Sequence, residues 1–465
     1  IFNFFNPLED EENRDIIIQQ LTQRGLTPMQ LRVEENGKSS QAIIFPWALA
    51  SYNNQTVAIS LIKNKIGASQ QELVSNSVQH LEYAFADGFS KLTKPKRKKI
   101  AILKGNNQLE DKYIADFAKK IGEYYFIAPF TLDSVASNTQ KTLNDLNNFD
   151  LIINAKPTEA FTENEKYVLD QYTMNGGKSL WLLDMVAMEK DSLYNASGKN
   201  YAITRDLNLT DFFFTYGIRI NPVMVSTLYS APIALAMGEG SNSQFQPLRW
   251  PYSPLANSNS NHPIVNNLNL VKFDFANPID TLKNSIKKTI LLETAPLTKL
   301  EGAPREISLS IVTKEQEPAT FNKGNQNLAV LLEGEFESVY NNRIKPFKLK
   351  ADKVKSATTK MVVIADGDVI KNDVVKNVPQ ELGFDRWTGK RYGNKEFLLN
   401  TVNYLLDDNG LINIRSKEIA IAFLNQDKIA DEKTKWQLIN IALPLVLLVL
   451  FGLGFNYYRK KKYAA

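Results

Sequence analysis

The sequence has no cysteine and only two histidines, His80 and His262, among 465 residues. These absences exclude a disulfide scaffold, a thiolate metal centre and a cysteine nucleophile, and they leave little imidazole for metal binding or proton transfer. A chain without thiols suits an oxidising compartment. Phosphate loops are missing as well. Gly176 and Gly177 follow a helical stretch and precede a strand, the reverse of a phosphate cradle, and GEGS at 238–241 has no Gly-Lys-Ser/Thr after it. His262 stands before Pro263 in a polar stretch, with no serine in a nucleophile-elbow setting for it to serve. The formal net charge of +5 is small for the length, and much of it lies in the tail and in KPKRKK at 94–99, which excludes a nucleic-acid surface. The expected inventory holds no cofactor, no metal centre and no catalytic residue.

The longest apolar run, WQLINIALPLVLLVLFGLGFNYY at 436–458, carries no charged side chain. As a helix it extends roughly 34 Å at about 1.5 Å per residue, enough for a hydrocarbon core of about 30 Å. Trp436, Tyr457 and Tyr458 stand where amphipathic rings favour the membrane boundary, and Arg459 to Lys462 follow at once. Asn440, Pro444, Gly452 and Gly454 suit packing against other membrane helices. Four consecutive cations outweigh Lys428, Lys433 and Lys435 on the other flank, so residues 459–465 are expected to form a basic cytoplasmic tail, with the bulk of the chain on the outer side of the membrane.

The remainder, with 43% hydrophobic and 23% charged residues overall, reads as globular and as more than one domain. IFNFFNP looks like an apolar strand already under way, so the sequence is expected to start inside a longer protein. Residues 1–69 predict a partial α/β module, with a helix around 10–25 and strands in MQLRV, QAIIFPWALASY and TVAISLI. Residues 70–96 predict a connecting helix and basic linker. Over 97–411, buried-strand runs alternate with amphipathic helices: KIAILKG, a helix from about 108 capped by Asn107, FDLIINAKP, a helix opened by a Thr162/Glu165 capping box, and KSLWLLD. That alternation predicts a doubly wound, mostly parallel α/β sheet, which MVVIADG and the helix in NKEFLLNTVNYLLDD should rejoin. Residues 238–268 read as a loop-rich insertion, and 412–435 as a juxtamembrane stem.

Ligands of open α/β sheets bind beyond the carboxyl ends of the strands, which singles out Gly105, Asp184, Asp366 and Asp368 as ligand-binding candidates. Asp also caps turns and helices very often, so the three carboxylates have a purely structural reading too. An alternative role for Asp184, Asp366 and Asp368 is an anchored hydrolase or carbohydrate-active enzyme. Arg249, Trp250 and Tyr252 offer aromatic and arginine anchors for a protein partner.

Several stretches together resemble the gliding-motility-associated ABC transporter auxiliary proteins of the GldG type. They are HLEYAFADGFSKL with KIAILKG, FDLIINAKPTEAFTENEKYVLDQYTMNGGKSLWLLD, FFFTYGIRINP, LLEGEFESVYNNR, MVVIADGDVIKN, and RYGNKEFLLNTVNYLLDDNGLINIRSKEI. The resemblance implies an extracytoplasmic part on an inner-membrane complex, with a separate ATPase and a permease as partners, and contact with lipid and a cell-envelope component. It also implies that residues 1–69 retain the end of a thioredoxin-like segment. The body is similar in outline to the glutamine-amidotransferase-like superfamily, without its cysteine nucleophile.

Overall fold

The structure, a computed structural model, describes residues 2–10, 12–35, 38–238, 243–407, 410–417, 419 and 426–463. The chain divides into one unit of Ile1–Glu418 and another of Ile419–Ala465.

The first unit begins with α1 (Arg14–Gln23) and two hairpins, β1 (Met29–Glu35) with β2 (Lys38–Ile44) and β3 (Trp47–Tyr52) with β4 (Gln55–Ser60). Helix α2 (Gln70–Thr93) follows, opened by a capping box in which Ser69 and Glu72 satisfy each other's backbone N–H. The central sheet has seven strands. Four apolar runs, β5 (Lys99–Lys104), β6 (Phe126–Thr131), β7 (Leu151–Ala155) and β8 (Lys178–Leu182), lie parallel in the order β8-β7-β5-β6. The strand Lys355–Ile364 joins β8 in parallel, with Met361 opposite Ser179, so the late segment does rejoin the early sheet. Asn327–Glu337 and Lys287–Glu293 extend that side antiparallel.

Side chains of a strand buried on both faces alternate between two cores. Ile152, Trp181 and Val363 pack with α5 (Glu163–Met174) and α6 (Thr210–Tyr216), through Tyr172, Phe212 and Tyr216. Ile153, Leu182 and Val362 pack with α3 (Asp111–Ile121) and α7 (Asn394–Leu406), through Phe117 and Phe397. The short α4 (Thr139–Leu146) adds Leu143 and Leu146 to the first core. Helices on both faces of a mostly parallel sheet make this a mixed α/β architecture.

The second unit contains α8 (Gln426–Tyr463), a helix of 38 residues with Pro444 inside it. It takes in the expected span at 436–458 and the last part of the expected stem. By length and composition, Asp431–Tyr463 is long and apolar enough to cross a membrane, and an 18-residue window within it has a mean hydropathy of 2.5.

Four expectations need correction. IFNFFNP forms no strand: among the described residues nothing pairs with it, and Phe2, Phe4 and Phe5 are exposed. The first helix is shorter than 10–25. Helix α3 starts at Asp111, because Asn107 adopts φ 51° and donates its side-chain N–H to Thr158 Oγ1 at 2.6 Å instead of capping. The insertion at 238–268 is not mainly loop, since Gln244–Ala256 is a strand of 13 residues paired with Ser230–Met237. Its three prolines read as turn signals, whereas the period-two spacing of Trp250 and Tyr252 carried the strand signal.

Candidate functional site

The carboxyl ends of β7, β8 and Lys355–Ile364 lie side by side, and the residues that follow them are Lys156, Asp184 and Asp366 to Asp368. Lys156 is 2% exposed and holds a left-handed backbone at φ 56°, a conformation that L side chains adopt at some cost. Its Nζ lies 2.6 Å from Asp368 Oδ1, 2.6 Å from Glu189 Oε1 and 3.5 Å from Asp184 Oδ2. Burial works against the ammonium charge, but Asp368, Asp184 and Glu189 outweigh it and hold Lys156 well above the ordinary lysine range. Asp184, Glu189 and Asp368 each place an oxygen within 4.8 Å of the others, a spacing that suits a cation. Here the cation they share is the Lys156 ammonium.

Backbone amides complete the knot. Asp184 Oδ1 accepts from Gly367 N at 2.5 Å, Asp366 Oδ1 from Asp368 N at 2.7 Å, and Asp366 Oδ2 from Asp274 N at 2.6 Å. Residue 367 has to be glycine, because a Cβ there would fall on the Cβ, Cγ and Cδ of Lys156. Asp366 has no exposed surface, and burial, followed by repulsion from Asp368, Asp184 and Asp274, raises its carboxyl well above the usual range. Asp368 goes the other way: burial opposes its charge, yet Lys156 and Lys371 hold it below the usual range.

The sequence-predicted carboxylates are therefore brought together, and each also has the structural job of a strand-end cap or ion-pair partner. Gly105 is not part of the group. It is exposed after β5 at φ 116°, beside Asp133 and Thr131.

Next to the knot opens a cleft of ≈ 620 Å³ that shares Glu189, Asp368 and Lys371 with it. At one wall two lysines face one carboxylate: Asp274 Oδ2 is 3.0 Å from Lys190 Nζ and 3.6 Å from Lys272 Nζ. Burial opposes the Asp274 charge, but the two ammonium groups hold its carboxyl below the ordinary range. The cleft is also lined by Phe245 and Trp387, whose rings stack at 4.5 Å between centroids.

The proposed partner anchors are corrected by their burial. Trp250 is 0% and Tyr252 2% exposed, and both pack with Phe275 in a separate core cluster. Tyr252 Oη donates to Glu301 Oε2 at 2.6 Å. Only Arg249 of the three is exposed. Trp250→Ala is accordingly expected to cost about 3–5 kcal/mol of stability, as large-to-small core changes do. Chemical denaturation checks this; a midpoint unchanged from the parent chain would return Trp250 to the surface.

His262 lies in its polar stretch with its ring against Tyr404 and its Nδ1 accepting from Ile264 N at 3.3 Å. Burial lowers its pKa to about 4.

Sequence reasoning passed over Lys156, Glu189, Lys190, Lys272, Asp274 and Tyr392. For Lys156 the signal was available, since it directly follows a buried strand by the same strand-end rule that selected the aspartates. The others come from connections far apart in the chain.

No curated protein matches the chain. Among solved structures, one described as the mmIFT52 N-terminal domain is similar over 67% of this chain and 99% of its own, at 14% identity and a TM-score of 0.37. The family described as "ABC-type uncharacterized transport system" matches residues 97–401, which begin just before β5 and end within α7. The whole central sheet and nearly all of its two cores lie within that match, and the chain belongs to this family of ABC transporter auxiliary proteins.

Proposed function

We propose that this chain is a membrane-anchored, non-catalytic auxiliary subunit of an ABC transporter, of the type associated with gliding motility. One observation carries the reading: a family match over residues 97–401 in a chain that also holds one helix able to cross a membrane. The folded unit lies in the periplasm, residues 459–465 in the cytoplasm, and a permease and a separate ATPase are the partners. The cleft beyond the strand ends receives a ligand or partner, with Asp184, Asp366 and Asp368 shaping its floor. The body follows the amidotransferase-like outline and the N-terminal module the end of a thioredoxin-like segment. Asn440, Pro444, Gly452 and Gly454 face neighbouring membrane helices.

Gentle detergent extraction through a tag after Ala465, followed by mass spectrometry, tests this. An ABC ATPase and a multi-span permease in stoichiometric amount are expected. Recovery of the chain alone would overturn the subunit reading.

A further inference from the structure

The cleft beside the Lys156 knot contains polar groups with nothing to bind. Tyr392 lines it, is 6% exposed, and its hydroxyl has no hydrogen-bond partner. A buried, unpaired hydroxyl costs about 1–3 kcal/mol, so an exception of this kind calls for an explanation. Lys272 lines the same cleft. Its ammonium carries three donors, yet it donates no side-chain hydrogen bond among the described residues and reaches Asp274 only at 3.6 Å. Lys190, at 3.0 Å, takes the better share of that carboxylate. Burial depresses the Lys272 ammonium; Asp274 opposes this and Lys190 adds to it. Tyr392 lines the cleft together with Lys190, Lys272 and Asp274.

A hydroxyl without a partner among the described residues and an ammonium with one distant, shared carboxylate are both satisfied by an anionic oxygen. Most other carboxylates around the cleft are already engaged: Asp368 and Glu189 by Lys156, Asp191 by Lys371, Glu381 by Arg391 and Lys395, and Asp385 by the backbone N–H of Trp387, while Asp373 acts on Lys190 and Lys272 through its charge. The stacked Phe245 and Trp387 rings, 59% and 46% exposed, supply an apolar surface, with the Arg386 guanidinium 4.6 Å over the Trp387 ring. A cleft of ≈ 620 Å³ falls within the usual size range of small-molecule sites.

We propose that Lys272, Lys190 and Tyr392 form the anion-recognition end of a ligand site, which takes a small molecule or chain end bearing one carboxylate or phosphate and lays its apolar body against Phe245 and Trp387. This names the ligand chemistry of the cleft assigned above and rests on that assignment. Phenyl phosphate and benzoate are the probes, with benzylamine as the cationic control, titrated into the full-length protein in detergent by calorimetry.

Phenyl phosphate, benzoate or both should bind, and benzylamine should not. Lys272→Met should lose at least tenfold in affinity. Tyr392→Phe should lose several-fold while keeping or raising the melting temperature, because the hydroxyl it removes has no partner in the free protein; a merely structural hydroxyl would lower it. Comparing the two anions distinguishes phosphate from carboxylate as the favoured group. Preference for benzylamine would overturn the anion assignment while leaving a ligand cleft. Binding of no probe would overturn the proposed site, and co-purification with transporter subunits would still decide the subunit reading separately. Probe binding that survives both substitutions unchanged would also overturn it.

Discussion

Lys156→Met should destabilise the first unit by about 3–5 kcal/mol, the range for removing one partner of a buried ion pair. The reason is arithmetic of charge. Three carboxylates, Asp184, Glu189 and Asp368, converge on one ammonium that is 2% exposed. Without it they repel one another in a site with little water to screen them. Thermal denaturation should show a fall of several degrees at pH 7.5. The sign of the pH response provides a second check. In the variant, the carboxylates have folded-state pKa values raised above their unfolded ones, so stability should recover as pH falls and they take up protons. Asp366 and Asp184 are already raised in the parent chain, so it should recover as well, and the larger recovery of the variant is the diagnostic difference. A variant as stable as the parent at neutral pH would mean that the cluster is solvated and that Lys156 does not hold the strand ends together.

Glu396→Gln should have an effect of similar size, about 3–5 kcal/mol, through a second buried network. Glu396, on α7, pairs with Lys63 from the segment after β4 and with Arg415 Nη2 at 2.8 Å. Burial opposes its charge, but Lys63 and Arg415 lower its pKa to about 2 from an ordinary 4.5. That contribution is fully present above pH 4.5 and is lost as pH falls towards 2. His80, close to the same charges, is held neutral: burial, then Lys63, lowers its pKa from 6.5 to about 4. A folded-state pKa below the unfolded one means stability present above pH 6.5 and lost as pH falls through 4, by up to about 3 kcal/mol for a fully buried group and less here. The part of the stability carried by His80 and Glu396 should therefore be level above pH 7 and decline below pH 6.5. In the Glu396→Gln protein, the segment around Lys63 and Lys65 should become cleavable by trypsin at neutral pH. If that segment stays resistant and the melting temperature holds, the N-terminal module is fixed by apolar packing on α2 alone.

Much of this architecture can be read from residue patterns. Strands β5, β7 and β8 each carry an unbroken run of buried apolar residues, Ile100–Leu103, Leu151–Ile153 and Leu180–Leu182, as burial on both faces requires, and the Thr162/Glu165 capping box forms as its spacing indicates. Asp184, Asp366 and Asp368 were found by a rule of position, because ligands and charges collect where parallel strands end. The same rule also reaches Lys156, which directly follows β7, but a lysine in NAKPTE looks solvated, and only the fold reveals that it is buried. The strand at Gln244–Ala256 was hidden by its prolines, which local rules read as turns, although tertiary pairing with Ser230–Met237 tolerates them. The cleft was illegible for a different reason. Lys190, Phe245, Lys272, Trp387 and Tyr392 have no local pattern in common and meet only through the crossing of the connections.

The Lys156 knot also determines where this domain can and cannot deform. By fastening the ends of three neighbouring strands to one buried ammonium, it gives the cleft a stiff floor whose strands cannot separate individually without exposing an unpaired charge. Another part of the lining comes from the hairpins of Val374–Val375 with Val378–Pro379 and of Phe384–Asp385 with Lys390–Arg391, whose ladders pair two residues per strand. Whatever enters the cleft therefore meets a floor that moves only as one piece, so the sheet is the fixed reference against which any adjustment of the lining would be made.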